Sequence, residues 1–439
     1  MDSEIEVISK EMDKFEVVSM HYGKKIIKFK IPKKNLVFTI APNYVKGARD
    51  EESEIRKALQ NPIGCDSLSE IARKKGGKAV IVINDVTRPT PSYKLVPPLL
   101  DELNKGGIKD NDICIIVATG SHRGNTIKEL EQMLSLEVIK RVHVINHDYS
   151  NQEMLKYIGK TKRGVPIELN RVFCEADIKI LTGTISPHQS AGFSGGRKSV
   201  LPGIAGSKAL MIHHSYPLRL KGPAMGKIER NPFNEEAIEA ARTVGVDFIL
   251  NVVQNNQKEI VKTVAGNLIE AWLEGIKWAR KIHEVVIPEI KPEVVISSPG
   301  GFPRDTDLYQ TQKSVSPVEA IVKRGGTIII PSECAKGIGG GKKFYNWLNE
   351  ANNIEEVIER FKNEGFNESS NKAFLYARAL KKVEIIIVTE NIHSQILNSI
   401  FLKKATTIEG ALNYSLKKYG EDCRIAVVQN APEIIPIFK

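Results

Sequence analysis

Residues 177–206 read Asp177-Ile-Lys-Ile-Leu-Thr-Gly-Thr-Ile-Ser-Pro-His-Gln-Ser-Ala-Gly-Phe-Ser-Gly-Gly-Arg-Lys-Ser-Val-Leu-Pro-Gly-Ile-Ala-Gly206. The opening run, Asp177 to Leu181, is mostly apolar and reads as a buried strand. The rest is dense in glycine, which is costly inside helices and strands, so the backbone there turns tightly or lies against a ligand. A loop that leaves a strand end in an α/β sheet is where such folds bind ligands. His188 and Lys198 both lie in this loop. A solvated surface loop could carry both, but it seldom adds Pro, Phe and a basic pair to so much glycine.

The same grammar recurs on the N-terminal side. Ala79-Val-Ile-Val-Ile83 precedes Asp85-Val-Thr-Arg88-Pro-Thr-Pro91, and Ile113-Cys-Ile-Ile-Val117 precedes Ala118-Thr-Gly-Ser-His122-Arg123. His213-His214 closes the segment after the long loop. Polar groups are thus expected at strand C-termini, where the switch-point crevice of a sheet would gather them.

Strands are predicted near 78–84, 112–118, 142–146 and 177–182, with helices near 93–105 and 126–135 between them. This alternation predicts an α/β fold with mainly parallel sheets flanked by helices. Earlier, Ile26–Ile31 and Leu36–Ile40 read as the two arms of a hairpin, followed by a helix over 51–60 and a capping box at Ser67-Leu-Ser-Glu70. An amphipathic helix covers 268–286, and Pro288 and Pro292 punctuate a new start. Strand-like runs return at 293–298, 326–331, 383–389 and 424–429; Ser316-Pro317 reads as a helix start and Thr406-x-x-Glu409 as a capping box. The expected organisation is an N-terminal domain over 1–267, a connecting helix over 268–287 and a C-terminal α/β domain over 288–439, with the active site in the cleft between the domains.

With 439 residues, the chain is too long for one ordinary core. Its hydrophobic content of 41% and charged content of 26% are those of a globular protein, and no apolar run reaches bilayer length. The acidic N-terminus lacks the core of a signal peptide. Five widely spaced cysteines without a CxxC pair suit a reducing compartment, so a cytoplasmic location is expected. The net charge of +11 is spread along the chain, with no basic arm or aromatic–basic motif, so neither nucleic acid nor membrane is expected as a partner.

Taken together, Asp85-x-x-Arg88-Pro-Thr-Pro91, Gly120-Ser-His122-Arg123, Ser186-Pro-His188-x-x-Ala-Gly-Phe-Ser-Gly-Gly-Arg-Lys198, His214 and Tyr309-Gln310-x-x-Lys313 resemble the nickel-dependent lactate racemase family. The resemblance covers nearly the whole chain, and its Ser-Pro-His to Lys block is the most specific part. It implies a racemase or epimerase of a small 2-hydroxy acid, with lactate as the default substrate. It also implies a nickel-pincer nucleotide, the Ni(II) complex of pyridinium-3,5-bisthiocarboxylic acid mononucleotide, attached at Lys198 and made by separate cofactor-synthesis proteins. A larger or dicarboxylic 2-hydroxy acid, a zinc hydrolase using His122, His188 and His214, and a cofactor-binding protein without turnover are the alternatives.

The Cα–H of a 2-hydroxy acid is a poor acid beside an ionised carboxylate. Removing it as a hydride avoids a dianion and leaves a 2-keto acid that can be reduced on either face. Such chemistry needs a base for the hydroxyl proton, which histidine suits near neutrality. By matching family positions, His122 and His188 are expected as the two bases, one for each enantiomer; the plainer reading is that each caps a strand end. His214 is expected to complete the nickel coordination, with His213 the neighbour that could exchange with it. Lys198 is the expected attachment point, or else a phosphate-binding lysine. Gly192, Ser194, Gly195 and Gly196, with Arg197, are expected to cradle the nucleotide phosphate. Asp85 is expected to bind cofactor hydroxyls or to orient a neighbour. Arg88 and Lys313 form the expected carboxylate clamp, beside Tyr309 and Gln310. Gly337-Ile-Gly-Gly-Gly-Lys-Lys343 reads as a flexible turn or lid rather than a phosphate loop.

Overall fold

The structure, a computed structural model, describes residues 14–367 and 369–439. The chain divides into two compact units, Tyr44–Ile282 and the described residues up to Asn43 together with His283–Lys439.

The N-terminal strands β1 (Phe15–Tyr22) and β2 (Lys25–Pro32) pair antiparallel with each other. The expected hairpin partner of Ile26–Ile31, strand β3 (Leu36–Ile40), instead pairs in parallel with a strand near the C-terminus. Local alternation identifies a strand but not its partner, so the pairing expectation is corrected here. It also corrects the domain boundary, because residues 14–43 fold with the C-terminal half.

In the unit Tyr44–Ile282, β4 (Ala79–Asn84), β5 (Ile113–Ala118), β6 (His143–Asn146) and β9 (Ile178–Thr184) run parallel to one another, and β12 (Phe248–Gln254) runs parallel to β9. Strand β13 (Ile260–Gly266) closes the sheet as an antiparallel edge, giving the order β13-β12-β9-β4-β5-β6. Two short hairpins lie outside it: β7 (Leu155–Lys160) with β8 (Pro166–Asn170), and β10 (Pro187–His188) with β11 (Gly192–Phe193). The central strands read as continuous apolar runs because both faces are covered. Ile81, Ile83, Ile115, Val117 and Ile180 share one core with Leu95, Leu99 and Leu103 of helix Ser92–Lys105, all buried. The expected capping box is present, with Ser67 and Glu70 bonded to each other's backbone at the start of helix Leu68–Lys75.

The amphipathic helix is shorter than expected and is not a free linker. It spans Glu270–His283 and buries Trp272 and Ile276, and the chain then enters β14 (Glu284–Ile287), which pairs with β20 (Ile435–Phe438). The second unit's main sheet is wholly parallel, in the order β18-β17-β16-β15-β19-β3, from β15 (Val294–Ser297), β16 (Thr327–Pro331), β17 (Glu384–Val388), β18 (Lys403–Ala405), β19 (Ile425–Val428) and β3. The β1–β2 hairpin and helix Ile408–Tyr419 share a buried cluster with this sheet. Two helix starts differ from expectation. Ser314 is the cap before Val315–Val318, so Ser316 lies within the helix, and the hydroxyl of Thr407, not Thr406, accepts from the Gly410 amide. No helix among the described residues is long and apolar enough to cross a membrane.

Candidate active site

The first unit's strand order reverses between β4 and β9: β5 and β6 lie to one side of β4, and β9 and β12 to the other. In open α/β sheets the loops that follow the strands at such a reversal are where ligands bind. Polar side chains tie the two loops together. The Thr90 hydroxyl donates to Asn84 Oδ1 at 2.8 Å and lies 3.0 Å from the Thr184 hydroxyl.

Asp85 follows β4 and His122 follows β5, on adjacent strands. His122 Nδ1 lies 2.6 Å from the buried Asp85 Oδ2, and the other carboxylate oxygen accepts from the Thr87 hydroxyl at 2.6 Å. Burial alone would push this carboxyl up, but the hydrogen bond and charge of His122, the Thr87 hydroxyl and the charge of Arg88 outweigh it and hold it below the usual range. An ionised Asp85 fixes the hydrogen of His122 on Nδ1, leaving a lone pair on Nε2. Both oxygens of Asp85 are thus engaged by side chains of neighbouring loops. Arg88 is exposed on the same loop, while Arg123 is held by Glu129 at 2.6 and 2.8 Å.

The loop after β9 is organised by Arg197, which is fully buried. Its guanidinium donates to the carbonyls of Ala191, Phe193, Ser194 and Gly195 and to Asn234 Oδ1, at 2.6–3.2 Å. It also stacks 3.8 Å from the centre of the Trp272 ring, whose Nε1 donates to the Ser194 carbonyl. The Ser194 hydroxyl bonds the Ser186 amide and the Thr184 carbonyl, and the Gly196 amide donates to Asn251 Oδ1 at 2.7 Å. Gly192 and Gly195 have φ of +76° and +78°, and a Cβ on Gly192 would lie 2.3 Å from the Lys227 carbonyl oxygen. Arg197, the Ser194 hydroxyl and the Gly196 amide therefore hold the loop itself. Composition could not tell such internal bonding from a phosphate cradle, because both need donors beside tight glycine turns.

Within this scaffold, His188 opposes Gly192 in the β10–β11 pair. Burial, then the positive charges of Lys198, Arg88 and Arg197, hold its imidazole well below the usual range. Lys198 lies one residue after Arg197 on the short helical turn Gly196–Ser199. His213 and His214 end the helix Ser207–His213. His213 is buried, donates Nε2–H to the Phe233 carbonyl at 2.8 Å, and is pushed down to about 3 by burial. His214 Nδ1 lies 3.1 Å from the Leu210 carbonyl, so its hydrogen is on Nδ1 and any metal bond falls to Nε2. The two neighbours thus commit different ring nitrogens to the backbone, Nε2 in His213 and Nδ1 in His214. Phe233, missed in the sequence, is the hub: its ring lies 3.8 Å from that of His213, 5.0 Å from His214 and 6.4 Å from His188. Asn231-Pro232, a helix-start signal, was the available clue to it.

Among the described residues, no three His, Cys, Asp or Glu side chains cluster to hold a metal. The zinc-hydrolase reading needed His122, His188 and His214 to converge in that way, and it is corrected.

In the other unit, Tyr309 and Gln310 lie on the helix Leu308–Thr311, and Lys313 lies on the turn that follows. Asp307 caps this helix by accepting the Gln310 amide at 2.7 Å; burial raises its carboxyl while the Lys313 charge opposes the rise. The Tyr309 ring packs edge-on against Phe344. Residues 337–341 lead from β16 into helix Lys342–Asn349, and Gly339 and Gly340 pack directly on Asp307 and Tyr309. The glycines of that stretch thus allow close approach to the Tyr309 turn.

The lactate racemase N-terminal domain profile matches residues 22–226, and the lactate racemase C-terminal domain profile matches residues 287–435. The chain is 34% identical to a lactate racemase from Thermoanaerobacterium thermosaccharolyticum, over 95% of this chain and 98% of the relative. It is 32% identical to a lactate racemase from Lactiplantibacillus plantarum, over 95% and 99% respectively. The solved structure of the Thermoanaerobacterium thermosaccharolyticum lactate racemase apoprotein superposes with a TM-score of 0.87 at 32% identity, covering 96% of this chain and all of that one. The chain belongs to the lactate racemase family, and it is an isomerase, a racemase enzyme.

Proposed function

We propose that the protein interconverts the enantiomers of lactate by moving the C2 hydrogen as a hydride and returning it to the opposite face of a 2-keto acid. The observation that carries this reading is the Asp85–His122 pair beside Arg88 at the switch point. Asp85 leaves His122 Nε2 as the acceptor for the hydroxyl proton and stabilises the imidazolium that results. Arg88 is the proposed partner of the substrate carboxylate, a role in which a guanidinium makes two parallel hydrogen bonds. Tyr309, Gln310 and Lys313 are proposed as further substrate contacts.

The residues fit a nickel-pincer nucleotide. Lys198 supplies an amine on a rigidly held turn, and His214 offers one imidazole with its Nδ1 hydrogen committed to a backbone carbonyl, as metal-binding histidines commonly have. A group that brings most of its own donor atoms needs only such a single ligand. When bound, it would supply the hydride acceptor. Lys198 is the proposed attachment point, and separate cofactor-synthesis proteins are the proposed partners.

The test is racemisation of lactate labelled with deuterium at C2, by protein co-expressed with the cofactor-making enzymes. Deuterium retained at C2 of the product, with a primary isotope effect, is the expected result. Wash-out into solvent would mean that the hydrogen leaves as a proton, and the reading would fail.

A further inference from the structure

One side chain, Arg219, joins the end of the helix that carries His214 to the long loop after β9. The helix Ser207–His213 ends at His214, and the last carbonyls of a helix have no partner within it. The chain then makes the short turn Tyr216–Leu218, where the Arg219 amide bonds the Tyr216 carbonyl at 3.0 Å. This turn brings the arginine back to the helix end. Its Nε donates to the His214 carbonyl at 3.0 Å, and its Nη1 donates to the Ser190 hydroxyl at 2.8 Å. Cations near a helix C-terminus commonly bond the last carbonyls in this way.

Ser190 lies in the turn between β10 and β11, and that turn is itself anchored. The Ser190 carbonyl accepts from Asn231 Nδ2 at 2.8 Å, the Ala191 carbonyl from the buried Arg197 at 3.1 Å, and the Gly192 carbonyl from the Gly226 amide at 3.1 Å. The His214 ring is placed against its own helix by the Leu210 carbonyl and edge-on against Phe233. Arg219 adds a different constraint, because it fixes the His214 main chain to the loop that carries Lys198. Its guanidinium also lies 5.8 Å from the centre of the Phe233 ring. A planar guanidinium holds two acceptors at a set angle, which a single ammonium does not.

We propose that Arg219 is a positioning residue: it sets His214 relative to the β9 loop, so that the imidazole meets a metal carried by a nucleotide attached at Lys198. This rests on the cofactor reading above. Arg219 acts through His214, and its part is in keeping the metal and not in attaching the nucleotide.

The test uses protein co-expressed with the cofactor-making enzymes. It reads the added mass on the intact chain and, separately, the rate at which nickel passes to a chelator. Arg219→Gln should keep the added mass but release nickel about tenfold faster or more, as when a group that orients a metal ligand is removed. Arg219→Lys keeps the charge without the fork and should release nickel as the Gln variant does. Release at the wild-type rate from Arg219→Lys would mean that charge alone suffices, and would overturn the proposal. Ser190→Ala breaks the far end of the bridge with Arg219 in place. It should speed release by a smaller factor, and it decides the matter if Arg219→Gln does not fold. Nickel held equally by wild type and variants would overturn the proposal. So would joint loss of nucleotide and nickel, because Arg219 would then support the whole site. A wild-type chain that takes up neither nucleotide nor nickel would instead overturn the cofactor reading, and this proposal with it.

Discussion

The loops after β4 and β9 flank the point where the strand order reverses but are built in opposite ways. The β9 loop is buried and satisfied by its own groups: Arg197 has no exposed surface, and its donors go to loop carbonyls and to Asn234. The β4 loop exposes Val86, Thr87, Arg88 and Pro89, and its one buried polar anchor is Asp85. The first is held by packing and spends its polar groups on itself. The second leaves Arg88 exposed above a single carboxylate anchor. Breaking the first should cost stability, and breaking the second should cost activity with little loss of fold.

The largest effect should come from Arg197→Met, which strands several buried carbonyls at about 1–3 kcal/mol each. A fall in stability of more than about 3 kcal/mol by chemical denaturation is expected. A near-neutral change would mean that the loop does not depend on it. Asp85→Asn should lower kcat by about 10²–10⁴-fold, because it favours the wrong His122 tautomer, with a near-wild-type melting transition. If Asp85→Asn unfolds the protein instead, the contrast between the loops is wrong.

Asn231→Ala removes bonds to the Ser190 and Lys227 carbonyls and should cost about 1–3 kcal/mol. His147 anchors the far end of the β9 loop, with Nε2 bonded to the Ala205 carbonyl and burial lowering its pKa. Its folded pKa lies below the unfolded value of about 6.5, so its contribution is complete above that pH and is lost as pH falls. His147→Gln should flatten this acid-side slope in denaturation curves taken from pH 7 downward. The smallest effect belongs to Thr87→Val, which removes one hydroxyl from Asp85 and should cost kcat less than about tenfold.

Much of this was legible in the sequence. Apolar runs at 79–83, 113–117 and 178–181 fixed the strands, and the polar clusters after them marked the right loops. What was not legible depends on partners distant in sequence. The β3–β19 pairing joins residues near 38 and 426, and no local pattern encodes it. The Asp85–His122 bond spans a sequence separation of 37, so Asp85 could be noticed but not assigned. The part Arg197 plays in holding its own loop was not legible, because a cation satisfied by carbonyls and one waiting for phosphate have the same local sequence. The tautomer of His122 depends on which group faces Nδ1, which only the folded loops determine.

The most direct test of the account is the intact mass and nickel content of protein co-expressed with the cofactor-making enzymes, with Lys198→Ala alongside. The account predicts an added nucleotide-sized mass and about one nickel per chain, both lost in the variant. Unmodified wild-type protein without nickel under those conditions, yet still racemising lactate, would contradict it.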